Sequence, residues 1–354
     1  MHSRKSPKRV EVYHERVSFG AILDRRLLII SGKGGVGKTS LSAALGIMAA
    51  RHDLRVLVAE VEGKSALSNL LGAGPLSSEP RELRPGLFAM HISPEEALRE
   101  YFEIQFHAKR IARPLVASQL VYYVTHAAPG LRDILMLGKV WYMVARRNEF
   151  DFAVLDTPAA GHAVSMLRSP EGFLEAVPVG TLANHAKRVL DWLRNPAQVA
   201  VQLVSLAEET PVKETLETAG LMERQVHMPV DTVYVNMLYP PVGEDPAVEA
   251  AFNRLKTPRG IVRRTRGAPA LDPARAQALF ATAEFYGARR RLQQAHRQEL
   301  IDGLGPGTAV VDLPFLFGDG FGHKELDHLA DVIEEQMDTE ARPDAPVPPP
   351  PRPK

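Results

Sequence analysis

Residues 32–39 read Gly-Lys-Gly-Gly-Val-Gly-Lys-Thr and have the spacing of a phosphate-binding loop, G-x-x-x-x-G-K-S/T. An apolar run precedes them at residues 27–30 and a helical pattern follows them, which is the context that such a loop requires. Glycines let backbone N–H groups approach phosphate oxygens, and the N-terminus of the next helix favours negative charge. The sequence therefore predicts a nucleotide site formed by Gly34, Gly35, Val36, Gly37, Lys38, Thr39 and Ser40.

Three side chains have the types needed to handle a magnesium-bound phosphate chain. Lys38 is predicted to reach the β- and γ-phosphates, and the hydroxyl of Thr39 is predicted to bind Mg²⁺. Asp156 follows the apolar run at residues 152–155 and is the candidate that holds the same Mg²⁺ through water. The segment 156–162 contains a glycine and is interpreted as a switch that approaches the γ-phosphate.

Glu62 is the candidate for the residue that orients or activates the attacking water. It follows the apolar run at residues 55–59, which is predicted to be a strand. Ligands bind beside the carboxyl ends of strands in open parallel sheets, so a glutamate in this position can face the nucleotide. The alternative is that Glu62 is an ordinary surface glutamate.

Apolar runs alternate with helical patterns along the chain, which indicates an α/β fold with a mostly parallel, doubly wound sheet. Two helix-rich stretches, 94–147 and 163–196, are longer than crossover helices need to be, and we interpret them as a helical subdomain inserted on the sheet. The predicted strands are residues 27–30, 55–59, 87–92, 152–155, 199–206, 232–235 and 309–313. The predicted helices are residues 39–52, 95–117, 131–147, 163–196, 246–256, 272–301 and 324–337, with one more between the strands at 199–206 and 232–235.

The composition divides the chain into three parts. A basic N-terminal arm covers residues 1–25, and a Pro-rich tail at 339–354 cannot bury a core and is predicted to be disordered. Residues 26–338 between them form the nucleotide-binding domain. The sequence has no visible internal repeat, so we expect one nucleotide-binding unit in the chain.

The charge and the cysteine content exclude several classes of function. Lys and Arg (43) almost balance Asp and Glu (42), so the net charge of +1 gives no general attraction to nucleic acid or to an anionic membrane. No nucleic-acid partner and at most peripheral membrane association are expected. The 354 residues include no cysteine, which excludes zinc–thiolate sites, iron–sulfur clusters and cysteine nucleophiles. No signal peptide or transmembrane run is visible, so a cytoplasmic location is expected.

Two features of the motifs resemble a known family. Lys33, directly after the first glycine of the loop, resembles the second lysine of the deviant-Walker ATPases. Residues 156–163, Asp-Thr-Pro-Ala-Ala-Gly-His-Ala, resemble the D-T-A-P-T-G-H-T switch of the ArsA family within that group. Shorter matches at 129–133 and 288–294 support the resemblance, which covers roughly residues 25–338. The V-E-G-K segment at 61–64 is most similar to an actinobacterial-type, single-domain branch in which two related ATPases are often paired.

The resemblance implies an ATPase that uses ATP and Mg²⁺ and works as a dimer. Lys33 is then expected to reach the nucleotide of the partner subunit, which is either a second copy of the chain or a related ATPase. Glu62 aligns with the catalytic Asp of the family, although the side chain here is one methylene longer. Asn236, Pro314 and Phe315 fall where the family holds adenine.

Three functions are compatible with the sequence. The first is a nucleotide-switched dimer whose helical subdomain binds a hydrophobic client or partner protein, because residues 101–124 carry enough apolar side chains for such a face. That face could instead pack on the helices at 171–196. The second is a partitioning or positioning ATPase, similar to ParA or MinD, that acts on DNA or a membrane. The third, less expected because the chain lacks the thiolates that bind arsenite, is an ATPase that drives an anion pump.

Overall fold

The structure is a computed structural model, and it describes residues 19–61, 66–106, 130–240, 273–318 and 320–338. The strands in these residues are β1 (Leu27–Gly32), β2 (Val56–Val61), β3 (Arg81–Arg84), β4 (Leu87–Ile92), β5 (Phe152–Asp156), β6 (Val199–Leu206), β7 (Val230–Leu238) and β8 (Ala309–Pro314). The helices are α1 (Phe19–Leu23), α2 (Lys38–Ala50), α3 (Ala66–Leu70), α4 (Pro94–Phe106), α5 (Leu131–Trp141), α6 (Ala160–Ala176), α7 (Thr181–Leu193), α8 (Glu209–Leu221), α9 (Pro273–Gly303) and α10 (His323–Asp338). Single π-helical turns extend α5 and α8, at Tyr142–Arg146 and Met222–Val226.

The eight strands form one sheet in the order β3-β4-β2-β5-β1-β6-β7-β8. β1 lies inside the sheet and pairs in parallel with β5 on one side and with β6 on the other. Neighbouring strands are parallel except for β3, which runs antiparallel to β4 at one edge. β1, β2 and β5 are buried at every position, which explains why their sequences are nearly continuous apolar runs. The predicted α/β fold with a mostly parallel, doubly wound sheet is confirmed.

Helices cover both faces of this sheet, and each face has its own hydrophobic core. On one face, α4 to α8 and the C-terminal end of α9 pack over Leu27 and Ile29 of β1. On the other face, α1, α2, α3 and α10 pack over Leu28 and Ile30. Successive residues of a strand point to opposite faces, so β1 contributes alternately to the two cores. Side chains on the α2 face at the carboxyl end of the sheet therefore lie beside the start of α2.

The helices α4 to α7 pack on one another over the first face. The ring of Tyr101 in α4 lies edge-on to the ring of His185 in α7, with the ring centroids 5.4 Å apart. The described part of the apolar stretch 101–124 thus contacts α7, which agrees with packing as the role of that part. Residues 107–129, which carry the rest of the stretch, lie outside the described residues, and the helical subdomain as a separate unit stays a prediction.

Most of the predicted elements lie close to their observed bounds, but α1 and α3 were not predicted, and the stretch 163–196 forms two helices, α6 and α7. Ser93 caps α4, because its Oγ accepts a hydrogen bond from the backbone N–H of Glu96 at 3.3 Å, and the helix begins at Pro94. β3 is absent from the sequence-based prediction because Arg81–Arg84 is a short, charged edge strand without an apolar run. The core includes Ile22 of α1, which is 1% exposed, so the folded part begins before the predicted end of the arm at residue 25.

Some predicted features lie outside the described residues: part of the helix at 95–117, the helix at 246–256, most of the N-terminal arm and the Pro-rich tail. Within the described ranges, no helix combines the length and the apolarity that a membrane-spanning segment needs.

Candidate nucleotide-binding site

The phosphate loop connects the carboxyl end of β1, an interior strand of the sheet, to the start of α2. Gly32 has a φ of +147°, and a Cβ atom there would lie 2.4 Å from the backbone oxygen of Val204. Gly37 has a φ of +98°, and its Cβ atom would lie 2.3 Å from Nδ2 of Asn236. L side chains rarely adopt such φ values, and neither position has room for one. These two glycines let the loop pack closely against β6 and β7.

Gly34 and Gly35 have different surroundings, although they belong to the same loop. No described atom would lie within 4 Å of a Cβ atom at either residue, and both residues are exposed. The middle of the loop is therefore open, while its two ends are tightly packed. An open glycine loop that leads into the N-terminus of α2 fits a phosphate chain.

Lys38 extends back along the loop from the first position of α2. Its Nζ donates a hydrogen bond to the backbone oxygen of Lys33 at 3.0 Å. Burial lowers the pKa of Lys38, and the nearby charge of Asp156 acts in the opposite direction. Thr39 and Ser40 follow in the first turn of α2. The structure thus brings Lys38 and Asp156 together, as predicted for a site that binds phosphate and metal.

Asp156 is the last residue of β5 and lies beside Ile30 of β1 in the register of the sheet. The residue is 4% exposed, and its Oδ1 has no hydrogen-bond partner among the described residues. Burial raises the pKa of Asp156 to about 6, while a hydrogen bond with Thr39 and the charge of Lys38 act in the opposite direction. A buried carboxylate with an unused oxygen, next to a threonine hydroxyl, fits a hydrated Mg²⁺.

Glu60 is a residue of this site that the sequence analysis misses. It lies opposite Asp156 on the neighbouring strand β2, and it is 2% exposed. Its Oε1 accepts a hydrogen bond from the backbone N–H of Leu67 at 3.4 Å, whereas Oε2 has no partner among the residues that the structure describes. A charged residue inside the apolar run 56–61 is the signal in the sequence that points to it.

The segment that follows Asp156 is tied to β1. The backbone N–H and the hydroxyl of Thr157 both donate hydrogen bonds to the backbone oxygen of Ile30, at 3.1 Å and 2.8 Å. α6 begins at Ala160, so Gly161 lies in the first turn of a helix. The predicted switch is therefore a connection of only three residues, 157–159, between the end of β5 and α6.

Lys33 forms an ion pair within its own chain. Its Nζ lies 2.6 Å from Oε1 of Glu214 in α8, and the two side chains are 34% and 43% exposed. α8 packs on the face of the sheet opposite to α2. Glu214 is a second residue that the sequence analysis misses, because nothing in the sequence links position 33 to position 214.

Asn236, one of the predicted adenine residues, braces the phosphate loop. Its Nδ2 donates a hydrogen bond to the backbone oxygen of Val36 at 2.9 Å, and its Oδ1 accepts one from the backbone N–H of Met237 at 2.9 Å. The residue is 7% exposed. The structure thus places Asn236 against the phosphate loop, where its amide is hydrogen-bonded to the backbone.

The other predicted adenine residues lie at the carboxyl end of β8. Pro314 ends β8, and the backbone N–H of Phe315 bonds to the backbone oxygen of Leu238 at 2.8 Å. The ring of Phe315 stacks on the ring of Tyr239, with the centroids 5.0 Å apart. Adenine binding by these residues stays a prediction. Glu62 belongs to residues 62–65, outside the described part of the chain, so its role also stays a prediction.

Similar sequences support this interpretation of the site. Residues 25–178 match the sequence profile of the anion-transporting ATPases, the ArsA family. ATPase BagA of Mycobacterium tuberculosis is 31% identical over 225 residues, which are 61% of this chain and 66% of that protein. Residues 25–178 of this chain therefore form an ArsA-family ATPase domain. The arsenical pump-driving ATPase of Acidiphilium multivorum is 26% identical over 214 residues, which are 54% of this chain and 36% of that protein.

The match to the ArsA family covers only part of the site. It includes the phosphate loop, Glu60 and Asp156, whereas Asn236, Pro314 and Phe315 lie beyond residue 178. The chain spans just under two thirds of the length of BagA and about a third of the pump-driving ATPase. The recognition of the ArsA family from the loop and the switch motif is confirmed.

Proposed function

We propose that this ArsA-family chain is a magnesium-dependent ATPase that switches between nucleotide states as a dimer. The observation that carries the proposal is the convergence of Lys38, Thr39 and Asp156 beside an open glycine loop at the end of β1. Family membership supports ATP as the nucleotide and hydrolysis as the reaction.

Each residue has a separate part in the proposed reaction. Lys38 and the backbone N–H groups of the loop hold the β- and γ-phosphates and stabilise the charge that spreads over the γ-phosphoryl group as its bond to the β-phosphate breaks. Thr39 and Asp156 hold Mg²⁺, which supplies further neutralisation of the phosphate charge when it is bound. Glu62 orients the attacking water, in the position that aligns with the catalytic Asp of the family.

Lys33 is the residue that makes a dimer part of the proposal. It acts on the nucleotide bound to the partner subunit, in the manner of an arginine finger. Its present partner is Glu214, and a partly exposed pair of this kind stabilises a protein by about 1 kcal/mol or less. Exchange of Glu214 for a phosphate oxygen of the partner's nucleotide therefore requires little free energy.

A hydrophobic client or partner protein is our proposal for what the nucleotide cycle controls. The support is the position of α6, which is part of the layer of helices α4 to α7. α6 begins only three residues after the metal-binding end of β5. A change at the γ-phosphate can thus reach that layer through a short, hydrogen-bonded connection. The partner subunit is either a second copy of the chain or a related ATPase.

The test separates nucleotide binding from turnover by two lysine substitutions. Lys38→Ala should remove measurable ATP affinity, because it takes away the ammonium inside the loop. Lys33→Ala should keep ATP binding but lower turnover by about 10³-fold or more, the range seen for a cation supplied in trans. Calorimetric titration and a phosphate-release assay measure the two quantities.

Lys213→Ala is the matched control, because Lys213 is an exposed lysine whose ion pair, with Glu209 at 2.7 Å, lies within α8. It should change neither quantity. A wild-type turnover rate for Lys33→Ala would contradict the trans mechanism, and a wild-type protein without adenine-nucleotide affinity would contradict the proposal as a whole.

The competing functions give different results in simple assays. A ParA- or MinD-like ATPase should sediment with plasmid DNA or with liposomes when ATP is present, and we expect no such sedimentation. Strong stimulation of ATP hydrolysis by arsenite would favour the pump-driving function, which we do not expect from a chain without cysteine.

A further inference from the structure

Two carboxylates lie side by side where the sheet meets α2. Glu60 and Asp156 are partners in the parallel register of β2 and β5. Val58 and Val154, two residues earlier on each strand, belong to the core on the α2 face, so the side chains of Glu60 and Asp156 point to that face as well. Neighbouring strands are about 4.8 Å apart, so the two carboxylates share one small volume. They are 2% and 4% exposed.

This pair lacks the partners that buried carboxylates need. Oε2 of Glu60 and Oδ1 of Asp156 have no hydrogen-bond partner among the described residues. Lys38 is near Asp156, but its ammonium is also bonded to the backbone oxygen of Lys33. Two buried negative charges with free oxygens are costly unless a cation or hydrogen-bond donors complete the site.

We propose that Glu60 is a second carboxylate that holds the hydrated Mg²⁺ of the nucleotide, together with Asp156. The inference rests on the proposed nucleotide site and adds to it a residue that the resemblance does not assign. Mg²⁺ keeps several of its waters in nucleotide sites, and these waters are donors that suit the unused oxygens of both side chains. Glu60 thus binds the ion through water, from the strand next to Asp156.

Glu60 also contacts the segment that follows β2. Its Oε1 accepts the backbone N–H of Leu67 in α3, and Leu67 is fully buried. One oxygen of the carboxylate therefore positions α3, and the other is available to the metal. The carboxylate of Glu60 thus links the position of α3 to the bound metal.

The experiment measures how much Mg²⁺ strengthens ADP binding. ADP affinity is determined by calorimetric titration with Mg²⁺ and again with EDTA, for the wild type and for Glu60→Gln. The amide keeps an acceptor for the Leu67 N–H and removes the charge. The substitution should weaken Mg²⁺ binding in the nucleotide complex by about 10- to 100-fold, the range for groups that bond to a metal's ligands and not to the metal itself. Affinity for ADP in EDTA should not fall.

A second readout uses the metal alone as a probe. Mn²⁺ replaces Mg²⁺, and the amount of free Mn²⁺ in the presence of ADP is followed by electron paramagnetic resonance. Glu60→Gln should leave more Mn²⁺ free than the wild type at the same concentrations. Glu60→Asp, which keeps the charge, should retain more of the Mg²⁺ effect than Glu60→Gln.

Two comparisons decide the result. Glu217→Gln, an exposed change on α8, should behave as the wild type. Equal Mg²⁺ effects in Glu60→Gln and the wild type would overturn the inference, and so would a loss in Glu60→Asp as large as in Glu60→Gln, since that would indicate a structural role only. A wild type that fails to bind ADP under any condition contradicts the proposed function, a different outcome from these.

Discussion

Asp156 has to meet two opposing demands at one carboxyl group. Its burial disfavours the charged form and raises the pKa to about 6, whereas binding of Mg²⁺ requires the ionised form. Without a cation, the ionised side chain keeps an oxygen that no described residue satisfies. Asp156, which we propose binds the Mg²⁺ of the nucleotide, should therefore destabilise the nucleotide-free protein, as is common for residues of binding sites.

Replacing Asp156 with Asn should stabilise the nucleotide-free protein above pH 6. Between pH 3.8 and about pH 6, the folded protein keeps a proton on Asp156 that the unfolded chain releases. The free energy of unfolding therefore falls as the pH rises through this interval, and above it the wild type carries the full cost, on the order of 3 kcal/mol. An amide has no such titration, so the melting temperature of Asp156→Asn should exceed that of the wild type.

The melting temperatures are to be compared at pH 5 and at pH 8. The advantage of Asp156→Asn should be larger at pH 8, where the wild-type carboxyl group is ionised. An advantage that is the same at both pH values would mean that the charge of Asp156 is not its cause. Saturating Mg²⁺ and ADP should reverse the order at pH 8, because the wild type keeps the carboxylate and gains more from bound metal.

The residues of the site differ in how far the sequence could predict them. Lys38, Thr39 and Asp156 belong to motifs with fixed spacing, and the structure brings them together. Glu60 was not predicted, because a charge inside an apolar run is visible in the sequence but its place beside Asp156 depends on which strands are neighbours. β2 pairs with β5 in the sheet, although the two strands are almost 100 residues apart in sequence. Local sequence patterns carry no information about such pairing.

At the scale of the element, the phosphate loop combines rigid ends with an open middle. Gly37 has a φ of +98° and closely approaches Asn236, whereas Gly34 has open space around it and no such φ. Substitutions at the two glycines should therefore separate the fold of the loop from its binding of phosphate.

Gly37→Ala should destabilise the nucleotide-free protein by roughly 1–3 kcal/mol, because it adds backbone strain and a contact with the Asn236 amide. Gly34→Ala should leave the melting temperature nearly unchanged but weaken ATP binding, because its methyl group occupies the space of a phosphate oxygen. Thermal unfolding without nucleotide and ATP titration measure the two effects. Equal losses of stability in both variants would show that the middle of the loop is also packed.

The helices and strands were more predictable than the order in which the strands pair. The buried strands β1, β2 and β5 are apolar runs bounded by polar residues, and α4 carries its cap and its proline in sequence. β3 escaped prediction because its stability comes from its neighbour β4 and not from its own residues. The place of β1 between β5 and β6 depends on contacts between distant segments, which no local pattern encodes.

At the scale of the whole molecule, the nucleotide site draws on both faces of the sheet. Lys38, Glu60 and Asp156 lie with α2 on one face, while Lys33 is held by Glu214 of α8, a helix of the other face. Lys33 could act on the nucleotide of its own subunit or on that of the partner subunit. The sequence motif is the same in both cases. The two mechanisms differ only in the assembled protein.

Mixing two inactive variants can distinguish these mechanisms. A Lys33→Ala subunit binds ATP but lacks the lysine for its partner, whereas a Lys38→Ala subunit does not bind ATP but keeps Lys33. If Lys33 acts in trans, a mixed dimer has one complete site, and the isolated mixed dimer should hydrolyse ATP at up to about half of the wild-type rate per dimer, since one of two sites works. Different affinity tags on the two variants allow the mixed dimer to be isolated before phosphate release is measured. A mixed dimer that is isolated intact but remains inactive would mean that Lys33 serves the nucleotide of its own chain.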